Sequence, residues 1–246
     1  MATIDPNQGI PGTDQTVGEV LGSANLEQAQ AFTDFIQTIS PSGETTTLQP
    51  TGTVGVFTMQ ISEGVTARVI DTDSASIDLT QPITINTDGG TLILGGSADV
   101  SVVGSDGDDA ILGNVGSNTF FGSAGNDTIG GGAGDDIFDF SSAIPGGFGN
   151  NTITDFSGGD VLLGFGSNAT LQDSPDGSGV TVTLPDGSSV FLQGVSAAQL
   201  NPPNAAGEIT LGGAAPTAVL VADLDDADGL GDASDPNDDD GFFIIN

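Results

Sequence analysis

The sequence predicts an all-β fold: a parallel β-roll or β-solenoid with glycine-rich turns, one N-terminal helix and a C-terminal hairpin. Three observations carry this. Residues 104–139 divide into four nine-residue units with no insertion: GSDGDDAIL, GNVGSNTFF, GSAGNDTIG and GGAGDDIFD. Short apolar runs separated by turn residues precede them over 54–103, and a hairpin signal follows them over 179–195. Regularly spaced short strands of this kind mark a solenoid or a sandwich, and a strict nonapeptide period selects the solenoid.

Each unit opens on Gly (Gly104, Gly113, Gly122, Gly131) and repeats Gly three residues later (Gly107, Gly116, Gly125, Gly134). The sixth place holds Asp109, Asn118, Asp127 or Asp136, and the eighth holds Ile111, Phe120, Ile129 or Phe138. Glycines permit a tight turn with several carbonyls pointing inward. Carbonyls with a carboxylate form the oxygen cage that a hard cation such as Ca2+ takes. The seventh to ninth residues form a short strand whose middle side chain enters the core. Successive units turn on opposite sides, so two units make one coil. Asp109 and Asp127 then stack on one side, Asn118 and Asp136 on the other. Stacked carboxylates repel without a counter-charge, so several Ca2+ ions are expected to be part of the fold. A fifth unit, GGFGNNTIT (146–154), follows the insert FSSAIP and carries Asn151 in the sixth place, predicting a weaker site. Upstream, GGSADVSVV (95–103) keeps the leading glycines and Val102 but lacks the second-turn Gly and the Asp. It reads as a coil without a full site.

These repeats resemble the RTX (repeats-in-toxin) β-roll family of bacterial secreted proteins. The segment TITDFSGGDVLLGFG (152–166) is similar to the one that closes the roll in many members, and the resemblance covers residues 95–200. It implies Ca2+ held by the carboxylates of Asp109, Asp127 and Asp136 and by turn carbonyls such as those of Gly107, Gly125 and Gly134. Asn118 and Asn151 are implied as lesser ligands, with Asp155 and Asp160 contributed by the closing segment. The competing reading, a Gly/Asp/Asn-rich disordered linker, does not keep an apolar residue at every ninth position.

The elements follow in order. Residues 1–52 read as an extended arm (1–22) and an amphipathic helix started by Asn25, three residues before Gln28, a capping-box spacing. Leu26, Ala29, Phe32, Phe35, Ile36 and Ile39 lie at helical spacing, and Ser40-Pro41 ends the run. The helix covers the end or flank of the solenoid, or docks a second subunit. Residues 53–168 form the solenoid, with the repeat roll at 95–154; its upstream strands are VGVFTMQI, VTARVI, ASIDL, PITI, TLIL and VSVV. Ile93 and Val102 stand in phase with Ile111, which extends the coil upstream with ordinary turns. Arg68, the single cation of the chain, is expected in a local salt bridge. Residues 169–212 supply the hairpin, GVTVTL and VFLQGV around Asp186-Gly187, then a strand EITL. Residues 213–246 hold a further strand, TAVLVADL, and an aspartate-rich tail. In that tail Asp226 and Asp228 fit an EF-hand loop, but Leu224 replaces its first ligand and no Glu follows, so the motif is rejected. Its end, Asp240-Gly241-Phe242-Phe243-Ile244-Ile245, resembles the uncleaved C-terminal signal of type I secretion substrates and equally fits a strand donated to a neighbouring subunit.

Composition narrows the function. With 34 acidic residues against one basic residue the formal charge is −33, which opposes compaction and excludes nucleic acid and acidic membranes as direct electrostatic partners. No apolar run reaches the roughly 18 residues of a membrane span. The N-terminus has neither the charged region nor the apolar region of a cleaved signal peptide. Without His, Cys, Tyr or Lys the usual bases and nucleophiles are missing. Paired carboxylates without an aromatic sugar platform do not make a glycosidase, so an enzyme is not expected. The chain reads as an extracellular or surface calcium-binding structural protein that folds on Ca2+, where the ion is abundant, and assembles with itself through terminal strands. The runner-up is a monomeric adhesin or accessory module that contacts a cell surface or glycan.

Overall fold

The computed structural model describes residues 7–21, 26–39, 48–62, 65–86, 89–142 and 144–212. Strands dominate. A meander comes first: β1 (Leu48–Pro50), β2 (Val56–Ser62) and β3 (Val65–Asp71) pair antiparallel. Then β4 (Ile83–Thr84), β5 (Thr91–Gly95), β6 (Ser101–Val103), β7 (Ala110–Leu112), β8 (Thr119–Phe121), β9 (Thr128–Gly130), β10 (Ile137–Asp139), β11 (Asn150–Ile153) and β12 (Val161–Leu163) alternate between two sheets. Last come β13 (Thr170–Asp173), β14 (Gly179–Thr183), β15 (Ser189–Gln193) and β16 (Ile209–Thr210). One sheet runs β1-β2-β3-β5-β7-β9-β11-β15-β14-β13 and the other β16-β12-β10-β8-β6-β4.

The coil is two repeats long. Ala110 of β7 is in register with Thr128 of β9, and Phe120 of β8 with Phe138 of β10. Beyond the insert the partners lie further apart by the same amount in both sheets, Thr152 with Thr128 and Leu162 with Phe138. The eighth-place residues Ile111, Ile129 and Ile153 of one sheet and Phe120 and Phe138 of the other belong to one buried core. Phe120 and Phe138 stack along it with centroids 5.4 Å apart and rings 16° from parallel. The insert adds to this core: Phe140 packs on Phe148 at 4.7 Å, and Phe165 sits edge-on to both.

A second core lies on the opposite face of the ten-stranded sheet. Val69, Ile93 and Leu112 point into it and are covered by α1 (Val17–Leu21) and α2 (Leu26–Ile39) through Val20, Leu21, Phe35 and Ile36. The helix therefore flanks the solenoid and builds a core of its own. Two expectations shift with this. Ile93 pairs with Leu112, and it is Leu92 that pairs with Ile111. One extra residue in this coil puts Ile93 on the outer face, as any one-residue slip in a strand must. Residues 16–21 fold rather than extend: Glu19 accepts from the Thr16 N–H (2.6 Å) while its own N–H donates to Thr16 Oγ1 (3.3 Å), a capping box.

Other expectations are met or corrected locally. Helix α2 has the predicted span, although its cap Asn25 lies outside the described residues. The parallel solenoid extends upstream to β3 and β4, and the strand expected at 75–79 does not form. Arg68 is exposed on β3, opposite Thr58, and makes no salt bridge among the described residues. The hairpin forms as predicted, Gly187 at φ +95°, with β15 continuing the sheet parallel to β11. The strand EITL appears as β16, antiparallel to β12. The expected strand at 217–224 and the tail 240–245 lie outside the described residues. No helix among the described residues is long and apolar enough to cross a membrane.

Candidate metal centre

The turns between the sheets form two stacks, one per edge of the roll. On the first, the Gly90 N–H donates to Asp109 Oδ1 (2.7 Å), the Asp109 N–H to Asp127 Oδ1 (2.9 Å) and the Asp127 N–H to Asn151 Oδ1 (2.7 Å). On the second, the Val100 N–H donates to Asn118 Oδ1 (3.3 Å), the Asn118 N–H to Asp136 Oδ1 (2.7 Å) and the Asp136 N–H to Asp160 Oδ1 (2.9 Å). The predicted division into two sides holds. Each sixth-place side chain thus sits beneath the sixth residue of the preceding coil. Its carbonyl is bound too: the Thr128 N–H donates to Asp109 O and the Ile137 N–H to Asn118 O, both at 2.8 Å. All six sixth-place side chains, from Asp109 to Asp160, are buried.

A second ladder runs the other way on the solvent side. The fifth-place Asn126 N–H donates to Asp108 Oδ1 (2.7 Å), and the Asn150 N–H to Asn126 Oδ1 (3.0 Å). The Ser117 N–H likewise donates to Asp99 Oδ1 (2.8 Å). These exposed partners were missed from sequence, where the fifth place looks variable; Asp99, Asp108 and Asn126 share only a side-chain acceptor.

What the second oxygen of each buried carboxylate meets differs from turn to turn. Asp109 Oδ2 accepts from the Ser105 N–H and hydroxyl, and Asp127 Oδ2 from the Ser123 hydroxyl at 3.2 Å. Asp160 Oδ2 accepts from the Ser157 N–H at 2.7 Å. Asp136 has Gly132 in the corresponding place, and its Oδ2 is buried without a hydrogen-bond partner while the residue is 1 % exposed. Such an atom is costly unless something positive meets it. Burial pushes the Asp136 carboxyl up to about 8, and the charges of Asp160 and Asp155 push the same way. Burial raises Asp127 and Asp155 to about 6 and raises Asp160 as well.

Glycine makes room for this arrangement. A Cβ on Gly131 would collide with Asp136 Oδ2, so the leading glycine is required for space rather than for a left-handed backbone. Gly134 is required for both: φ is +109°, and its Cβ would stand 2.6 Å from the Gly116 carbonyl oxygen of the preceding coil. Gly125 stands likewise over the carbonyl of Gly107, which itself has no left-handed φ. Asp155, in the leading place of its turn, holds the N–H groups of Gly131 (2.8 Å) and Gly132 (3.0 Å).

The predicted residues are therefore brought together, in two stacks. Three or more acidic side chains do not converge on one point among the described residues, so a cation here would draw most of its oxygens from turn carbonyls. That donor set, carbonyls with one or two carboxylates, fits Ca2+ better than a transition metal. Comparison with protein-family models and with curated proteins found no match to this chain.

Proposed function

We propose that this is an extracellular calcium-binding structural protein whose roll is completed by Ca2+ and which assembles with copies of itself. The observation that carries the calcium reading is the buried, unpartnered Oδ2 of Asp136, which feels the charges of Asp155 and Asp160 in a turn whose glycine leaves it room. Asp136 and Asp160 would hold the cation on one edge of the roll, Asp109 and Asp127 on the other, with turn carbonyls completing each shell. The bound ion supplies the charge that lets these carboxylates stay ionised inside the fold. In a medium poor in Ca2+ a chain of charge −33 stays open and threadable, which suits export; millimolar Ca2+ outside the cell closes it.

Assembly rests on the sheet edges. Among the described residues β1 and β13 end the larger sheet and β4 and β16 end the smaller one. Strand edges accept further strands, and a terminal segment donated by a neighbour would join subunits into a filament, layer or matrix fibre. A second reading has its own support: β16 and the β13-β14-β15 meander run antiparallel at the end of the roll and break its parallel repeat. Caps of that kind suit a monomeric module that binds a surface or glycan. In neither reading is the protein an enzyme.

Circular dichroism, light scattering and electron microscopy in chelator and in millimolar Ca2+ test both. Ca2+-induced β structure followed by ordered polymers supports the structural subunit. A folded monomer with Ca2+ at every concentration moves the function to the binding module, and β structure indifferent to Ca2+ removes the calcium reading.

A further inference from the structure

We infer that the side-chain amides of Asn114 and Asn118 take the place of metal ions in the first turns of the roll, so that cations enter only where the sixth residue is Asp. The inference rests on the calcium reading above and assigns which turns take the ion.

Asn118 and Asp136 have the same pose. Oδ1 of each accepts from the sixth residue of the preceding coil, and the two side chains differ in what their other terminal atom meets. In Asp136 that atom is the oxygen without a donor. In Asn118 it is Nδ2, which donates to Gly116 O (2.8 Å) and Asn114 Oδ1 (3.0 Å), with Gly131 O at 3.5 Å. A buried carboxylate oxygen that no donor meets calls for a cation; an amide NH2 among acceptors does not. Asn114, in the same turn, does the same for the turn of the preceding coil. It is 0 % exposed, and its Nδ2 donates to Thr72 Oγ1 (2.8 Å) and Ala98 O (3.0 Å), with Gly95 O at 3.4 Å. Its Oδ1 accepts from the Gly116 N–H at 2.9 Å as well as from Asn118. These partners fix both amide orientations, since the opposite ones would aim NH2 at N–H and oxygen at carbonyls. Asn151 ends the other stack in the same way, its Nδ2 donating to Phe148 O at 2.9 Å. The amides supply the N–H donors that the carbonyls of these turns would otherwise find in a cation. The turns at 95–100 and 113–118 therefore close without metal and stand as a preformed platform for the turns that need it.

The test counts bound Ca2+ by native mass spectrometry on the full chain and follows thermal unfolding in chelator and in Ca2+. Asn118→Asp puts an oxygen where the amide nitrogen was. It is expected to bind one ion more than the parent and to unfold at lower temperature in chelator. An unchanged ion count with unchanged melting in chelator overturns the inference. Should that variant fold in neither condition, Asn114→Ala decides: equal destabilisation with and without Ca2+ at constant ion count supports the inference, and loss of an ion overturns it. A parent chain that binds no Ca2+ defeats the calcium reading alone. The amide assignment is then read from chelator melting, where Asn118→Asp below the parent supports it and Asn118→Asp equal to the parent overturns it.

Discussion

Asn118 and Asp136 stand one coil apart in the same place, the N–H of the first donating to Oδ1 of the second at 2.7 Å, and they differ in one atom. That atom is a nitrogen with acceptors around it in Asn118 and an oxygen with no donor in Asp136.

Asp136→Asn should therefore stabilise the protein in chelator. It replaces the orphaned oxygen by an amide NH2 of the kind Asn118 carries one coil earlier, and removing such a buried unsatisfied group is worth about 1–3 kcal/mol. In Ca2+ the advantage should vanish, because the variant loses an ion. Urea unfolding in both conditions measures the difference; a variant less stable than the parent in chelator contradicts the account of this turn.

The metal-free protein should become more stable as the pH falls. Asp136 at about 8, and Asp127 and Asp155 at about 6, all lie above their ordinary value of 3.8. A carboxyl with a raised folded-state value binds its proton more tightly when folded. Its contribution is fully present below the unfolded value of 3.8 and is lost as the pH rises through the folded one. Between pH 4 and pH 8 the melting temperature in chelator should fall, by on the order of 5 °C or more. Saturating Ca2+ should flatten or reverse the slope, since the ion binds the deprotonated form. Calorimetry across this range at fixed ionic strength reads both arms.

Gly134→Ala should cost more than Gly187→Ala. Both glycines have left-handed φ, +109° and +95°, but only at Gly134 would the new Cβ meet a neighbour, the Gly116 carbonyl oxygen. Backbone strain alone is worth about 1–3 kcal/mol, and the first variant must also push adjacent coils away from each other. Denaturant midpoints in saturating Ca2+ rank the pair; equal costs would mean the coils stack less tightly than described.

Phe35→Ala should loosen the helical flank. Phe35 is fully buried between α2 and the outer face of the larger sheet, and Phe→Ala in a core costs about 3–5 kcal/mol. Binding of a hydrophobic dye and exchange of backbone hydrogens in α2 should rise before the roll itself unfolds. Simultaneous loss of helix and roll would show the two cores to be one cooperative unit.

The repeat made the roll legible because its period fixes register, side and core-facing residue together: Asp109, Asp127 and Phe138 fall where the ninefold pattern puts them. Upstream, one extra residue in the coil turned Ile93 outward, and periodicity alone cannot see a single insertion without a motif to anchor it. Helix α1 was written in Thr16-Val17-Gly18-Glu19, but five residues are too few for an apolar period to show. In the candidate metal centre the sixth-place residues were legible, and the contacts of Asn114 and Asn118 were not. The pattern treats Asn as a weak Asp, whereas the structure shows which end of the amide faces the carbonyls.

The insert at 140–145 lengthens both sheets' spacing equally and leaves every inward side chain inward. A corner can thus absorb residues that a strand cannot. The same geometry lets a whole coil, such as 113–130, be deleted or duplicated with both flanking halves meeting in register, as neighbouring coils already do. Length in this molecule is a quantity that recombination can add or subtract in units of eighteen residues, altering the reach of the roll and the number of buried sixth-place side chains along its edges while its ends stay as they are.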